Sequence, residues 1–235
     1  MPDLHFVYTI VFSRTAQQNV RFICFQKRAK GYFFSGKGGA ILPGGQPLKG
    51  AAKFALPGGE FESGDWNKDV DVYSQCQKEF TEECGRQISF ATHDEVVTEG
   101  VGDDDEMIHA LAYLQRWGVN IPTRKGTIKG YAAMYIQVAD NQLKLVADYI
   151  SACFKQRDQA VEKILKQEWG ARDYAKIAQT FPMAPPDDEL DLANPAIREI
   201  AQGDFNNNQL IQSLSEDSDT NWFAEIIKGL ETIDS

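Results

Sequence analysis

The sequence predicts an α/β fold built as one domain of 235 residues, a length that can bury a sizeable core. Two runs, at residues 4–14 and 20–28, are rich in β-branched and aromatic residues and flank a polar turn, which predicts two strands. Residues 70–84 and the stretch after Asp140 instead carry apolar side chains at helical spacing. Strands that alternate with helices along a chain are typical of the α/β class.

The glycine-rich segment at residues 31–55 follows the first strands and predicts a mobile loop or hairpin near a functional site. It contains LPGG at residues 42–45, and residues 56–59 repeat the same letters. Acidic residues and a predicted carboxylate-bearing helix follow the second copy but not the first. We therefore assign the chemistry to the second copy.

The helix predicted at residues 70–84 should bury its apolar side and end at Gly85 in a left-handed conformation. That apolar side is formed by Tyr73, Cys76, Phe80 and Cys84. Further strands are predicted at Ile88–Phe90, Ile108–Trp117 and Tyr131–Val138. His109 lies within the second of these, and we interpret it as a packed strand residue rather than a catalytic base.

The last third of the chain is predicted to be mostly helical. Residues 141–181 continue the helical spacing that begins after Asp140, and prolines from Pro182 onward interrupt it. A short helix is expected near Pro195–Ala201, and the polar runs at residues 206–208 and 213–220 are interpreted as a linker. A final amphipathic helix should be capped by Thr220. Its apolar face would comprise Trp222, Phe223, Ile226, Ile227 and Leu230.

The charge of the chain is unevenly distributed. The formal net charge is −10, yet no Asp or Glu lies between Leu4 and Gly59. Basic residues in this first quarter include Lys27 and Arg28, which we name as candidate contacts to a bound polyphosphate. The alternative, that such residues only favour solubility at loops and strand edges, stays open. The net negative charge of the protein argues against a long nucleic acid as partner, because it would repel a polyanion.

Cysteine usage and hydropathy bear on the compartment. The four cysteines form no Cys-x-x-Cys pair, and the sequence has only three histidines, which argues against a zinc ribbon or a disulfide framework. No apolar run is long enough to predict a membrane helix, and no secretory leader is recognisable. We expect a cytoplasmic protein that does not interact with membranes.

Three carboxylates are the most informative feature of the sequence. Residues 56–65 read LPGGEFESGD, and residues 78–85 read KEFTEECG. On a helix, Glu79, Glu82 and Glu83 are three or four residues apart and share one face, where their charges repel unless a cation lies between them. Mg²⁺ prefers such oxygen ligands and commonly shares its shell with phosphates. The alternative is a solvated acidic helix face, the usual meaning of a charge cluster.

The glycine turn and the carboxylate helix together resemble the signature of the Nudix hydrolases, which cleave nucleoside diphosphates linked to another group. In the family, a Gly-Gly turn and a Glu-x-Gly-Glu stretch precede an Arg-Glu-apolar-x-Glu-Glu-x-Gly helix. Lys78 stands here where the family has Arg, Asp65 where it has Glu, and Arg86 at a normally apolar position. The segment between the two halves is also longer than in the family. The resemblance covers only the stretch from the glycine turn to Arg86.

The resemblance implies an α/β/α sandwich with a mixed sheet, in which residues 141–181 are a helical insertion. It implies that Glu82 and Glu83 are metal ligands, that Glu79 is a ligand or the base that activates water, and that a backbone carbonyl near Gly59 completes the metal shell. It further implies that Glu62 and Lys78 orient the loop and the helix.

The implied activity is Mg²⁺-dependent hydrolysis of a phosphoanhydride bond, with Mn²⁺ as a substitute metal. The substrate would be a nucleotide-sugar, a dinucleoside polyphosphate or a nucleoside triphosphate, and a homodimer is one assembly compatible with this activity. The alternative is a catalytically weak Nudix-fold protein that binds or senses a nucleotide. The acidic run Asp103–Glu106 is either a solvated loop or a source of a further metal ligand, and the solvated loop is favoured.

Overall fold

The structure is a computed structural model, and it describes most of the chain. The described residues are 4–34, 40–48, 50–85, 97–100, 107–119, 129–166, 179–180, 192–213 and 222–233.

The first two strands form as predicted and lie inside a mixed sheet. Strand β1 spans Leu4–Arg14 and strand β2 spans Val20–Lys27, and both are largely buried. Burial on both faces explains why these strands read as continuous apolar runs rather than as an alternating pattern. The two strands pair antiparallel through Phe12 and Phe22.

Within the described residues the main sheet has eight strands, six of which follow in the order β10-β2-β1-β9-β8-β7. Among the described residues, the other strands are β3 (Lys30–Phe34), β4 (Ala40–Pro47), β5 (Phe54–Ala55), β6 (Gly58–Glu60), β7 (Val97–Gly100), β8 (Met107–Val119), β9 (Lys129–Val138) and β10 (Leu192–Ile200). The helices include α1 (Asp69–Cys84), α2 (Asp140–Leu165), α3 (Gln209–Ser213) and α4 (Trp222–Gly229). Strands β1 and β9 pair parallel, and the other neighbours along this order pair antiparallel. The predicted α/β fold with a mixed sheet is therefore confirmed.

Strands β1 and β2 separate towards one end of the sheet, and the segment Phe54–Glu60 fills the gap. Within it, β5 pairs with β2, while β6 pairs with β1 so that Gly58 lies opposite Tyr8 and Gly59 opposite Val7. Between these two short strands, the carbonyl of Pro57 accepts a hydrogen bond from the backbone N–H of Thr9 at 2.9 Å. The second glycine turn is thus built into the sheet.

The first LPGG copy lies in a separate element. Strands β3 and β4 form a two-stranded antiparallel sheet with a register shift between Gly31 and Phe33. The prediction of a hairpin in the glycine-rich segment is confirmed.

Helices α1 and α2 pack on the same face of the sheet. On β1, side chains two residues apart point to one face. Thr9 Oγ1 donates to the carbonyl of Cys76 in α1 at 3.4 Å, and Ser13 Oγ donates to Asp140 at the start of α2 at 3.0 Å. The predicted helix at residues 70–84 is confirmed, and its fully buried residues include Phe80 and Cys76.

Helix α4 covers the opposite face. The ring of Tyr8 meets that of Phe223 edge-on, with a centroid distance of 5.4 Å. The hydroxyl of Tyr135 donates to the carbonyl of Ile226 at 2.7 Å. The predicted final helix is confirmed, with Ile227 in the core, and the described helices flank the sheet on both faces.

Helix α2 contributes apolar residues to the same core as the sheet. Leu143, Val146, Ile150 and Phe154 are all fully buried, and the ring of Phe154 lies 5.9 Å from that of Phe25 on β2. The helical prediction after Asp140 is confirmed as far as Leu165.

Three predictions in the chain are corrected by the structure. The expected helix near Pro195–Ala201 is wrong, because the chain there forms β10 and pairs antiparallel with β2. Gly85 ends α1 with a φ of 133° and a ψ of 148°, so its φ is positive but it is not in the left-handed helical conformation. Part of the predicted linker is turn and helix, since turns at residues 205–207 lead into α3.

Several predictions fall outside the described residues, namely the strand Ile88–Phe90, the acidic run Asp103–Glu106, the helical continuation over 167–178 and the Thr220 cap. His109 lies on β8, opposite Thr98, as predicted for a strand residue. Among the helices of the described residues, none combines the length and the apolar character needed to cross a membrane.

Candidate functional site

The glycine turn packs so closely on β1 that no side chain fits at its first glycine. A Cβ at Gly58 would lie 2.1 Å from the carbonyl oxygen of Val7 and 2.8 Å from the Cα of Tyr8. The φ of Gly58 is 152°, which L-residues rarely adopt. Glycine is therefore required where β6 joins the sheet.

The last turn of α1 is tied directly to this glycine. The Oε2 atom of Glu83 accepts a hydrogen bond from the backbone N–H of Gly58 at 2.6 Å. A carboxylate that accepts a backbone N–H makes a charge-assisted bond, stronger than one between neutral groups. The two halves of the sequence motif are therefore joined by a side chain from one and a backbone amide from the other.

Glu79 lies against the second glycine. A Cβ at Gly59 would approach Oε2 of Glu79 to 2.4 Å, so the carboxylate occupies the space that any side chain at this position would need. The other carboxylate oxygen, Oε1, accepts a hydrogen bond from Nε2 of Gln75 at 2.8 Å. Gln75 is itself buried and also donates to the carbonyl of Glu60 at 3.5 Å. Gln75 thus links the carboxylate to β6.

The environment of Glu79 favours its protonated form. Burial raises the pKa of this carboxyl from its usual value near 4.5 to about 7, the hydrogen bond from Gln75 opposes the rise, and the nearby charge of Glu82 adds to it. The charge of Lys78 lowers this pKa, but by less than burial raises it. Glu79 is therefore a carboxyl whose negative charge lacks full compensation from the described protein groups.

Lys78 and Glu62 meet at the edge of the site. The Nζ atom of Lys78 lies 2.5 Å from Oε2 of Glu62, and the two side chains are 44% and 61% exposed. The hydrogen bond to Glu62 is the main reason that the pKa of Lys78 is raised. The pair connects helix α1 to the loop that follows the glycine turn.

Asp65 has a local structural role in that loop. Its backbone N–H donates to Oδ2 of Asp71 at 2.8 Å, and its Oδ1 accepts from the backbone N–H of Asn67 at 3.0 Å. Gly64 precedes it with a φ of 106° and packs against Asp71. Asp65 and Asp71 therefore shape the turn into α1.

The basic candidates Lys27 and Arg28 lie at the end of β2. Lys27 exchanges backbone hydrogen bonds with Lys53 and Ala52. Arg28 forms an ion pair with Asp158 on α2 and donates to the carbonyl of Leu192 at 3.3 Å. The structure thus shows protein partners for Arg28, and its contact with a polyphosphate stays a prediction.

Within the described residues, no three His, Cys, Asp or Glu side chains form a group that could by itself hold a metal ion. The carboxylates of α1 therefore do not make a closed cage. Mg²⁺ is commonly bound by one or two carboxylates together with water and substrate phosphates, and the oxygen donors of Glu79 and its neighbours suit that arrangement. The residues present fit a cation that the substrate helps to hold.

Sequence reasoning missed Gln75 and Arg157. Gln75 stands four residues before Glu79, a spacing at which helical side chains meet, so the contact was readable from the sequence. The contacts of Arg157 could not be predicted from helical spacing, because its partners include the carbonyl of Leu192, which lies outside its helix.

No protein-family model and no curated protein matches the chain. Solved structures that resemble part of it include two of a C. elegans Ap4A hydrolase. A C. elegans Ap4A hydrolase aligns at 11% identity over 59% of this chain and 70% of its own, with a TM-score of 0.29. A binary complex of a C. elegans Ap4A hydrolase aligns at 11% identity over 58% of this chain and 67% of its own, with a TM-score of 0.27. A likeness this low carries no argument about activity.

Proposed function

We propose that this protein is a metal-dependent hydrolase that cleaves a phosphoanhydride bond in a nucleoside diphosphate linked to another group. The observation that carries the proposal is that two carboxylates of helix α1 both contact the glycine turn. Glu83 accepts the backbone N–H of Gly58, and Glu79 lies against Gly59. The two halves of the Nudix-like motif are thus assembled into one site, which a solvated acidic helix face would not require.

Mg²⁺ is the proposed metal, with Mn²⁺ as a substitute. One or two of the carboxylates of Glu79, Glu82 and Glu83, with the backbone carbonyl near Gly59, would hold it together with water and substrate phosphates. When bound, the metal would neutralise phosphate oxygens and lower the pKa of a coordinated water. The raised pKa of Glu79 supports the fit, because a carboxyl made costly to ionise by burial and by Glu82 is stabilised by a nearby cation.

The chain's own residues would orient the site and move a proton. Glu79 is one candidate base, because its carboxylate lies against the glycine turn where the metal and its water would be held. Gln75 fixes one oxygen of that carboxylate. Which of Glu79, Glu82 and Glu83 accepts the proton stays open. The Lys78–Glu62 pair would keep the loop in register with α1.

The substrate classes that follow from the resemblance are a nucleotide-sugar, a dinucleoside polyphosphate and a nucleoside triphosphate. All three present a phosphoanhydride that a metal at the helix carboxylates would reach. All three also carry a base and a sugar, so phosphate chemistry alone does not separate them.

The second candidate function is nucleotide binding with little or no turnover. It is favoured by Lys78, because an ammonium contacts one carboxylate oxygen where a guanidinium would hold both. The contact to Glu62 is a single one between exposed groups. A looser connection between loop and helix would lower the rate and leave binding intact.

A panel of the three substrate classes, assayed with and without Mg²⁺, tests the proposal. Release of phosphate, pyrophosphate or a nucleoside monophosphate identifies turnover, and calorimetry on the same compounds identifies binding. Turnover that requires the metal supports the hydrolase. Tight binding of a nucleotide without product supports the sensor, and the absence of both contradicts the Nudix-like assignment.

A further inference from the structure

A second charged cluster lies on helix α2. Arg157 is 3% exposed, which is unusual for a charged side chain. Its guanidinium lies 4.1 Å from the centroid of the Phe154 ring, so an aromatic face covers one side of it. The exposed chain after β2 brings a second guanidinium, that of Arg28, to the same place.

The arginine pair (Arg28 and Arg157) shares its partners. The Nε atom of Arg157 donates to Oδ1 of Asp158 at 3.3 Å, and Nη2 of Arg28 contacts the same Oδ1 atom. Both side chains also donate to the carbonyl of Leu192, Arg157 through Nη2 at 2.9 Å and Arg28 through Nε at 3.3 Å. One carboxylate oxygen and one carbonyl oxygen thus serve two guanidinium groups.

The charges of this cluster are unbalanced, counted over the part of the chain that the structure describes. Two guanidinium groups face one carboxylate. Burial and the like charge of Arg28 lower the pKa of Arg157 to about 10, although the charge and the hydrogen bond of Asp158 raise it. A second negative charge at this place would relieve the repulsion between the arginines.

Neither arginine makes a two-oxygen contact with Asp158. A guanidinium fork matches two oxygens of a carboxylate or phosphate side by side. Here each fork reaches a single oxygen of Asp158. A phosphate group carries more oxygens and more charge than a carboxylate, so it can satisfy both forks at once.

We propose that the arginine pair is a phosphate-binding site in which Asp158 is an internal anion that the ligand displaces. The side chain of Asp158 is 47% exposed, so its carboxylate can turn to solvent while the arginines stay in place. The ligand class is a phosphate group, either free or at the end of a polyphosphate chain. This inference goes beyond the hydrolase proposal and does not depend on it.

The test measures anion binding without metal or nucleotide. Protein stripped of metal and desalted is titrated by calorimetry with inorganic phosphate and, separately, with tripolyphosphate at constant ionic strength. We expect saturable binding that weakens about tenfold or more in Arg28→Ala, because charged hydrogen bonds are lost. Binding of inorganic phosphate identifies a site for a single group, and binding of tripolyphosphate alone identifies a site for a chain end.

The variant Asp158→Asn separates this proposal from a purely structural ion-pair network. Removing the internal anion should tighten phosphate binding by about threefold or more, because the ligand no longer competes with it. The control Lys144→Ala, which breaks an exposed ion pair with Asp148 on the same helix, should bind as the wild type does. Arg28→Lys, which keeps the charge, replaces Arg28→Ala if that variant fails to fold.

Three results would overturn the proposal. They are an absence of saturable binding by the wild type, equal binding by the Arg28 variant and the Lys144 control, and weaker or unchanged binding by Asp158→Asn. Because no Mg²⁺ or nucleotide is present, a failure here leaves the hydrolase proposal intact, and a protein without turnover can still bind phosphate at this site.

Discussion

Glu83 and Gly58 are separated by 25 residues in sequence, yet the carboxylate of the first accepts the backbone N–H of the second at 2.6 Å. The bond joins the last turn of α1 to the segment that fills the gap between β1 and β2. Because Gly58 also lacks space for a side chain, the position of the carboxylate helix depends on the backbone of this turn. This arrangement has a steric part, a chemical part and an electrostatic part.

The steric part is tested by Gly58→Ala. A Cβ at this position would lie 2.1 Å from the carbonyl oxygen of Val7, and the φ of 152° is unfavourable for alanine. We expect the free energy of unfolding to fall by about 2–5 kcal/mol, from backbone strain and overpacking together. Chemical denaturation measures the change. The control is Gly203→Ala, where φ is 85° but no atom lies within 4 Å of the added Cβ, so only a strain of about 1–2 kcal/mol is expected. Equal losses in the two variants would contradict the close approach of β6 to β1.

The chemical part is tested by Glu83→Gln. Glutamine keeps an oxygen that can accept the Gly58 N–H, so the fold and the thermal midpoint should change little. Its neutral amide is a poor metal ligand, so Mg²⁺-dependent turnover should fall by about 100-fold or more. Steady-state kinetics on whichever substrate is active gives the result. The matched control is Glu162→Gln on α2, where Glu162 is exposed and pairs with Lys166, and its activity should equal that of the wild type. Wild-type turnover in Glu83→Gln would refute the metal-site assignment.

The elements that could be predicted from the sequence are those whose signal is local. Strands β1 and β2 and helix α1 follow from runs and spacings of apolar residues, and each forms near its predicted bounds. The prediction for the segment that forms β10 was wrong because its pairing partner, β2, is distant in sequence. Ile197 lies opposite Ile23 and Arg198 opposite Phe22, so pairing with β2 overrides the local preference that indicated a helix. Pro195 is compatible with this strand, because proline is tolerated on the edge of a sheet, where β10 lies among the described strands.

The candidate site shows the same division. The spacing of the helix carboxylates placed them on one face from sequence alone, and the glycine turn marked their partner. The seating of Glu79 on Gly59 depends on how β6 enters the sheet, which no local pattern encodes. The shared contact of Arg28 and Arg157 with Asp158 joins residues about half the chain apart, so it required the fold.

The electrostatic part appears as a pH dependence of stability in metal-free protein. The pKa of Glu79 is raised to about 7 in the folded state, whereas an unfolded glutamate titrates near 4.5. Between these values the folded state binds more protons, so this residue makes the free energy of unfolding fall as pH rises from about 4.5 to 7. In Glu79→Gln this fall should be smaller. Between pH 5 and pH 8, the variant should lose less of its free energy of unfolding than the wild type does. Urea unfolding at a series of pH values in EDTA checks this.

Metal should reverse the same effect. A cation bound beside Glu79 stabilises its ionised form, so millimolar Mg²⁺ should raise the thermal midpoint of the wild type at pH 8 more than at pH 5. The gain should be smaller in Glu79→Gln and unchanged in Glu162→Gln. Equal gains in all three proteins would show that Mg²⁺ binds elsewhere.

Lys78 stands where the motif that the sequence resembles has Arg. Its contact with Glu62 joins two exposed side chains, and such pairs contribute under about 1 kcal/mol. Lys78→Ala should therefore lower turnover by no more than about fivefold, with a smaller effect at high salt, because exposed charges are screened. Lys78→Arg should match or exceed the wild type, because a guanidinium can hold both oxygens of Glu62. The effect of Lys78→Ala should vanish in a Glu62→Gln background if the pair acts as a unit. Equal turnover rates for the wild type, Lys78→Ala and Lys78→Arg would mean that position 78 is ordinary surface. The loop would then be held in register by Gln75 and the glycine turn alone.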